Sequence, residues 1–508
     1  MSIMEHLVSD PILVTTATII AIYITIFIIK LVEKKKKKHH PLGGTFLNQL
    51  INFHRLHDYG TDLARKHTTY RILGFFRTEV YTADPQNLEY ILKTNFSNYG
   101  KGWFHYSILS DLLGDGIFTV DGEKWRHQRK VSSYQFSTKM LRDFSNTVFK
   151  TNALKLAGIV SQAAASNEPI DMQELLMKSS LETVFKVVLG VEVDSIFGTD
   201  EEAARFSNAF DEASEIILGR YIDFFWKIKR YFNIGSEAVL RKSIEVVDQF
   251  VQKVIQTKID EVHNSADDLT KKKEGILSRL IDLREIDMKY LEEITLSFMI
   301  AGKDTTATTL SWFLYMMCKH PRIQENISQE VIEVTNLNGN YSVEELAANL
   351  SEEALDKMQY ITAALAETLR LYPALPADAK VCFSDDTLPD GYSVKKGNVV
   401  VYQPYAMGRM KFLWGDDAEE FRPERWIDEN GLFKQQSPFK FSAFQAGPRI
   451  CLGKEFAYRQ MKFFSAVLLG SYKFKLSDEK KAVNYRVMLN LVINGGLHLR
   501  PSSRNQVI

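Results

Sequence analysis

Several absences narrow the reading of this sequence before any motif does. Its 508 residues hold only three cysteines, Cys318, Cys382 and Cys451, too few and too scattered for a disulfide framework, and no CxxC or Cys/His spacing suggests zinc. The main body is therefore expected in a reducing compartment. Charge of one sign is not in surplus either. Lys plus Arg and Asp plus Glu both number 63, so no global asymmetry points to nucleic acid or to a strongly acidic substrate, and no nucleic-acid partner is expected. No long Gly/Ser/Pro stretch separates two cores, no internal repeat is visible, and the dinucleotide pattern G-x-G-x-x-G is missing. With 45% hydrophobic and 25% charged residues, the chain has an ordinary globular composition and material for one large core.

What is present begins near the N-terminus. Residues 11–29 carry no charge and nearly span a hydrocarbon core of ~30 Å at a rise of about 1.5 Å per residue. Glu5 and Asp10 precede this run, while Lys30 and the lysines at 34–38 follow it, the reverse of a cleaved signal peptide. One transmembrane helix is expected, with everything after the lysines in the cytosol. Residues 1–38 thus read as a membrane anchor with a basic flank, and 39–508 as a cytosolic domain. Pro41, Gly43 and Gly44 look like a hinge between them.

Further along, residues 69–74 and 78–82 read as short strands and 85–95 as a helix with Pro at its first turn. Helical periodicity dominates from about 124 to 258, and the polar stretch 263–275 reads as a loop. Long helices are predicted over 288–318 and 351–371, then short extended runs near 392–401, a helix from about Leu452, and terminal strands. The fold class is mainly α with a minor β-sheet.

The strongest chemical signal is the run from Phe444 to Gly453, F-x-x-G-x-R-x-C-x-G. Five fixed positions would match by chance on the order of once in ten thousand chains of this length. A lone cysteine is most often an inert buried residue; here Gly447 and Gly453 let the backbone close around Cys451 and aim N–H groups at its sulfur. Upstream, Ala301-Gly302-Lys303-Asp304-Thr305-Thr306 lies inside a predicted helix, where a glycine and two threonines cost stability. Glu367 and Arg370 form E-x-x-R, a spacing common in exposed pairs worth only ~0.3 to 0.5 kcal/mol. Arg425 follows within Phe421-Arg422-Pro423-Glu424-Arg425-Trp426. Trp125 and Arg129 stand one helical turn apart.

Together and in this order, these motifs resemble the cytochrome P-450 superfamily of heme-thiolate monooxygenases, over essentially the whole cytosolic body. The resemblance implies the cytochrome P-450 fold with one N-terminal transmembrane helix. It also implies heme b with an axial thiolate from Cys451 on its iron, and heme propionates held by Trp125, Arg129 and Arg449. Thr305 would hold water and Asp304 would relay protons during dioxygen activation, while Glu367, Arg370 and Arg425 would brace the thiolate side structurally. Too little chain follows Cys451 for a fused reductase, so the implied electron source is a separate NADPH-dependent flavoprotein reductase. Arg126, Lys130, Lys139, Arg142, Lys440 and Lys454 are expected on the face that meets it.

Residues 111–118 running into 125–130, together with 445–462, 483–486 and 495–497, resemble the plant fatty-acid omega-hydroxylases. That branch implies a hydrophobic small-molecule substrate, a fatty acid attacked at or near its terminal carbon, and an enzyme of the endoplasmic reticulum membrane. Phe104, Ile108, Leu109, Leu112, Leu113, Ile117 and Phe118 read as an apolar wall suited to an alkyl chain. An isomerase or dehydratase acting on oxidised lipids, and a monooxygenase of terpenoids, steroids or phenolics, stay open as alternatives.

Overall fold

The computed structural model describes residues 39–504, apart from 75–76, 137–138, 195–200, 265–274, 283–286 and 338. The expected anchor at 11–29, the lysines at 34–38 and most of the expected loop at 263–275 lie outside the described residues. Among the described residues, no helix is long and apolar enough to cross a membrane.

The chain is mainly helical with a small sheet. Strands β1 (Leu42–Thr45), β2 (Thr69–Leu73), β3 (Thr78–Thr82), β4 (Tyr99–Gly100), β6 (Asp378–Cys382) and β9 (Val399–Tyr402) form a six-stranded sheet in the order β1-β2-β3-β9-β6-β4. Strand β5 (Ile170–Asp171) closes a three-stranded sheet with β10 (Tyr472–Leu476) and β11 (His498–Ser503), and β7 (Asp386–Thr387) pairs with β8 (Ser393–Val394). The expected hinge is instead part of the large sheet, with β1 running parallel to β2. Gly43 is there for contact: a Cβ would sit 2.6 Å from the ring of Tyr70.

Eight helices position the site. They are α1 (Gly102–Leu113), α2 (Gly122–Phe136), α3 (Met172–Val184), α4 (Glu201–Gly219), α5 (Ser236–Asn264), α6 (Met288–Lys319), α7 (Gln359–Leu371) and α8 (Lys454–Ser471). Helix α6 starts where the Asp287 carboxylate accepts from the Tyr290 N–H at 2.7 Å, the N-cap that orphaned first-turn donors require. Most of its length is buried, so it forms the axis of the molecule, packed on α3, α5, α7 and α8.

The helix expected over 351–371 is two helices, broken at Met358. The break is made at a distance. The Glu330 carboxylate accepts from the N–H groups of Tyr360 at 2.7 Å and Ile361 at 2.8 Å, supplying α7 with a cap that Met358 has no side-chain oxygen to provide. The helix expected over 85–95 likewise ends early: after Pro85–Glu89 the chain widens into a π turn, Tyr90–Thr94.

Candidate functional site: a cysteine loop beneath the central helix

The loop from Phe444 to Gly453 doubles back on itself, the Cys451 N–H donating to the Phe444 carbonyl at 2.9 Å after a 3-10 turn at Gly447–Arg449. Gly447 sits at φ 65°, a conformation that favours glycine. A Cβ there would come within 1.9 Å of the Leu92 carbonyl oxygen in the π turn. Gly453 has a different task, since a Cβ would meet only ordinary contacts, Phe136 at 3.9 Å and the Cys451 sulfur at 4.0 Å. Its backbone hydrogen-bonds the sulfur.

Cys451 is exposed, yet burial pushes its thiol pKa up, against the downward pull of the Gly453 backbone, Arg129 and Lys454. The thiol is thus deep in the fold and still accessible. Phe136 of α2 ties this loop to the central helix: it lies against Gly453, meets Phe456 of α8 edge-on at 6.3 Å and Phe298 of α6 at 5.4 Å.

One turn beyond Phe298 the burial of α6 is interrupted. Ala301 is exposed, and Asp304 and Thr305 are half-exposed, between fully buried stretches. The Thr305 hydroxyl donates to the Ala301 carbonyl at 2.6 Å, which leaves its oxygen lone pairs to accept a hydrogen bond from water. Asp304 meets the Lys303 ammonium at 3.2 Å. Gly302 has a packing reason: a Cβ would stand 2.7 Å from Val184 Cγ2, so the glycine lets α6 approach α3.

Trp125 is buried on α2, and Arg129, one turn on, is half-buried. Burial lowers the Arg129 pKa while Cys451 raises it, and among the described residues its guanidinium bonds to no carboxylate. Arg449 lies 4.4 Å over the Trp125 ring. Its Nη2 donates to Asp121 at 2.7 Å and to the Val120 carbonyl at 2.9 Å, and its buried Nε has no partner among the described residues. An accessible thiol with an unpaired guanidinium and an orphaned buried N–H close by is a donor set that fits heme: the sulfur for its iron, the two arginines for its propionates.

Glu367, Arg370 and Arg425 meet in the core. Glu367 and Arg370 form a two-pronged ion pair, both bonds at 2.7 Å, with neither side chain exposed at all. Arg425 Nε reaches Glu367 at 3.3 Å, and the Trp426 indole donates to it at 2.8 Å. Arg370 also donates to the carbonyls of Gly408, Ala418 and Glu420. Burial lowers the Arg370 pKa against the pull of Glu367. The Glu367–Arg370 pair thus joins α7 to the 422–426 segment and to the carbonyls of Gly408, Ala418 and Glu420.

Sequence reasoning passed over a second polar cluster. Asp378 on β6 accepts from Gln445 of the loop at 2.6 Å, Lys380 at 2.7 Å, Tyr402 at 2.7 Å and Lys101 at 3.3 Å. Burial acts to raise the Asp378 pKa, but Lys101 and Lys380 outweigh it and hold the carboxyl well below its usual range. Burial in turn drives Lys380 down to about 7. The available signal was the alternation of Asp378 and Lys380, which puts two charges on one face of a strand. Asp121, which also accepts from the N–H groups of Lys101 and Gly102, left no such trace.

The family model for cytochrome P-450 matches residues 35–495. The chain belongs to the cytochrome P-450 family. It is 49% identical over 488 residues to cytochrome P-450 704C1 of Pinus taeda, covering 93% of each chain. It is 44% identical over 505 residues to cytochrome P-450 704B1 of Arabidopsis thaliana, covering 93% of this chain and 96% of the relative. Cytochrome P-450 94A1 of Vicia sativa is 36% identical over 448 residues, 86% and 84% of the two chains. Members of the cytochrome P-450 family are monooxygenases that bind heme b through a cysteine thiolate and act on hydrophobic substrates with electrons from a redox partner.

Proposed function

We propose that this cytochrome P-450 hydroxylates a medium-to-long-chain fatty acid, or a close derivative, at or near its terminal methyl. In this reading it takes electrons from NADPH through a separate flavoprotein reductase at the cytosolic face of the endoplasmic reticulum. The observation that carries the reading is the pairing of a deep, accessible Cys451 with an interrupted, half-exposed Asp304–Thr305 face on α6. Bound heme supplies dioxygen activation. The chain's own residues do the rest: Cys451 holds the iron, Arg129 and Arg449 seat the propionates, Thr305 orients a water through its oxygen, and Asp304 passes protons inward. Glu367, Arg370 and Arg425 keep the loop in place.

The resemblance to plant omega-hydroxylases supplies the substrate class, and the apolar segment before Trp125 supports it. Ile108, Leu112 and Leu113 are fully buried core, whereas Phe104, Leu109, Ile117 and Phe118 retain exposure. Each buried CH₂ of an alkyl chain contributes ~0.8 kcal/mol, so affinity should rise with chain length.

A membrane setting is supported by two features. One is the uncharged run at 11–29. The other is an exposed apolar patch, Phe225 64%, Ile228 55%, Tyr231 84% and Phe232 64% exposed, which Phe224 joins to Phe46 near the start of the described chain at 5.2 Å. Such a patch, flanked by Lys227, Lys229 and Arg230, suits the bilayer interface. Microsomes supplemented with reductase and a fatty-acid panel should yield terminally hydroxylated acids; turnover of only a steroid, terpenoid or phenolic would overturn the assignment.

A further inference from the structure

Lys303 occupies an unusual place. Neighbouring residues on a helix point about 100° apart and do not face each other, yet the Lys303 ammonium lies 3.2 Å from the carboxylate of Asp304. A third group explains the reach. Asp211, on α4, also accepts a hydrogen bond from the Lys303 ammonium, and that ammonium is the bridge between the two helices. Lys303 is buried, whereas the side chains of Asp211 and Asp304 keep 52% and 19% of their exposure. Two carboxylates that face accessible space therefore share one buried cation.

We infer that Lys303 is a positioning residue for Asp304, and that Asp211 sets how much of the ammonium Asp304 receives. The inference rests on the monooxygenase reading, in which Asp304 relays protons. A relay carboxylate must visit its neutral form and turn toward water. An ammonium hydrogen-bonded to it fixes its rotamer. Asp211 draws the ammonium away and frees Asp304. Asp211 stands on α4, which packs on α1 and α5.

The test uses the full chain with heme and reductase in Asp211→Asn, Lys303→Gln and the double variant, each first checked for the thiolate spectrum of its reduced carbon-monoxide complex. The readouts are hydrogen peroxide released per NADPH, where two electrons and O₂ leave without product, and the solvent deuterium isotope effect on NADPH oxidation. Asp211→Asn should raise the peroxide ratio about fivefold and enlarge the isotope effect, because Asp304 then holds the whole ammonium. The double variant should match Lys303→Gln alone, since Asp211 acts only through Lys303. An unchanged ratio in Asp211→Asn, or effects that simply add in the double variant, would overturn the inference. Should Lys303→Gln lose the spectrum, Lys303→Arg takes its place: the ratio should hold with Asp211 present and rise in the Asp211→Asn background, and no rise there overturns the inference. Dodecanoic acid is the probe, and peroxide is also measured without it. Failure of the fatty-acid reading appears as no hydroxylated product from the unsubstituted chain, while the substrate-free peroxide ratio still reports on the relay.

Discussion

The guanidinium of Arg449 lies 4.4 Å over the indole of Trp125, so the cysteine loop and helix α2, far apart in sequence, are stacked at the place where the heme propionates are expected. Cation–π contact of this kind engages the face of the guanidinium and leaves its N–H edge free for acceptors. Asp121 takes one edge. Among the described residues, the orphaned Nε and Arg129 remain to meet an anion.

Replacing Cys451 by Ala should abolish the thiolate spectrum of the reduced carbon-monoxide complex together with all monooxygenation, because no neighbouring side chain in the loop offers a charged sulfur. Absorption measured on the purified variant settles the point: a retained thiolate band would disprove the ligand assignment.

Gly447→Ala should be nearly as damaging without touching any donor. The new Cβ would meet the Leu92 carbonyl at 1.9 Å, so the loop or the π turn must shift, and heme content per protein should fall by about tenfold. Gly453→Ala, which meets only ordinary contacts, should keep most of its heme.

The contrast between these glycines also marks how far the sequence could be read. Motif order singled out Cys451, the Asp304–Thr305 pair and Glu367, Arg370 and Arg425, and the structure brings the last three into one buried cluster. Periodicity located α6 and the strands β2 and β3 of the large sheet. What stayed hidden was made by partners distant in sequence. The break at Met358 depends on Glu330, the role of Gly43 depends on Tyr70, and the Asp378 cluster draws on Lys101, Tyr402 and Gln445. Local pattern carries no record of such contacts.

Thr305→Ala should leave substrate affinity within about twofold while diverting electrons to hydrogen peroxide, since in the proposed reading the hydroxyl serves the proton path and only one methyl group is lost with it. Coupling of NADPH use to product, measured beside the unsubstituted enzyme, should drop. Equal coupling would count against the role of Thr305.

Glu367→Gln keeps shape but removes the charge shared by Arg370, Arg425 and Trp426. With the Arg370 side chain wholly buried, an uncompensated guanidinium should cost ~3 to 5 kcal/mol. Denaturant unfolding and heme retention report it together, and a variant as stable as the parent would show that the carbonyls of Gly408, Ala418 and Glu420 suffice.

Acid sensitivity should trace in part to His57. Burial depresses its pKa to about 4, against the pull of Asp58, both ring nitrogens lack partners among the described residues, and the ring sits between Tyr405 and Tyr485. A base whose folded pKa lies below its unfolded value of about 6.5 is neutral in the fold, so the unfolded chain binds the extra proton first. Stability is therefore full above about pH 6.5 and declines as pH falls toward 4, by about 2 kcal/mol at pH 5. Denaturant titrations of the parent and of His57→Phe at pH 7 and pH 5 isolate this share, because the carboxylates titrate alike in both. The phenylalanine variant should lose less stability between the two pH values, and parallel losses would assign the acid sensitivity to other groups.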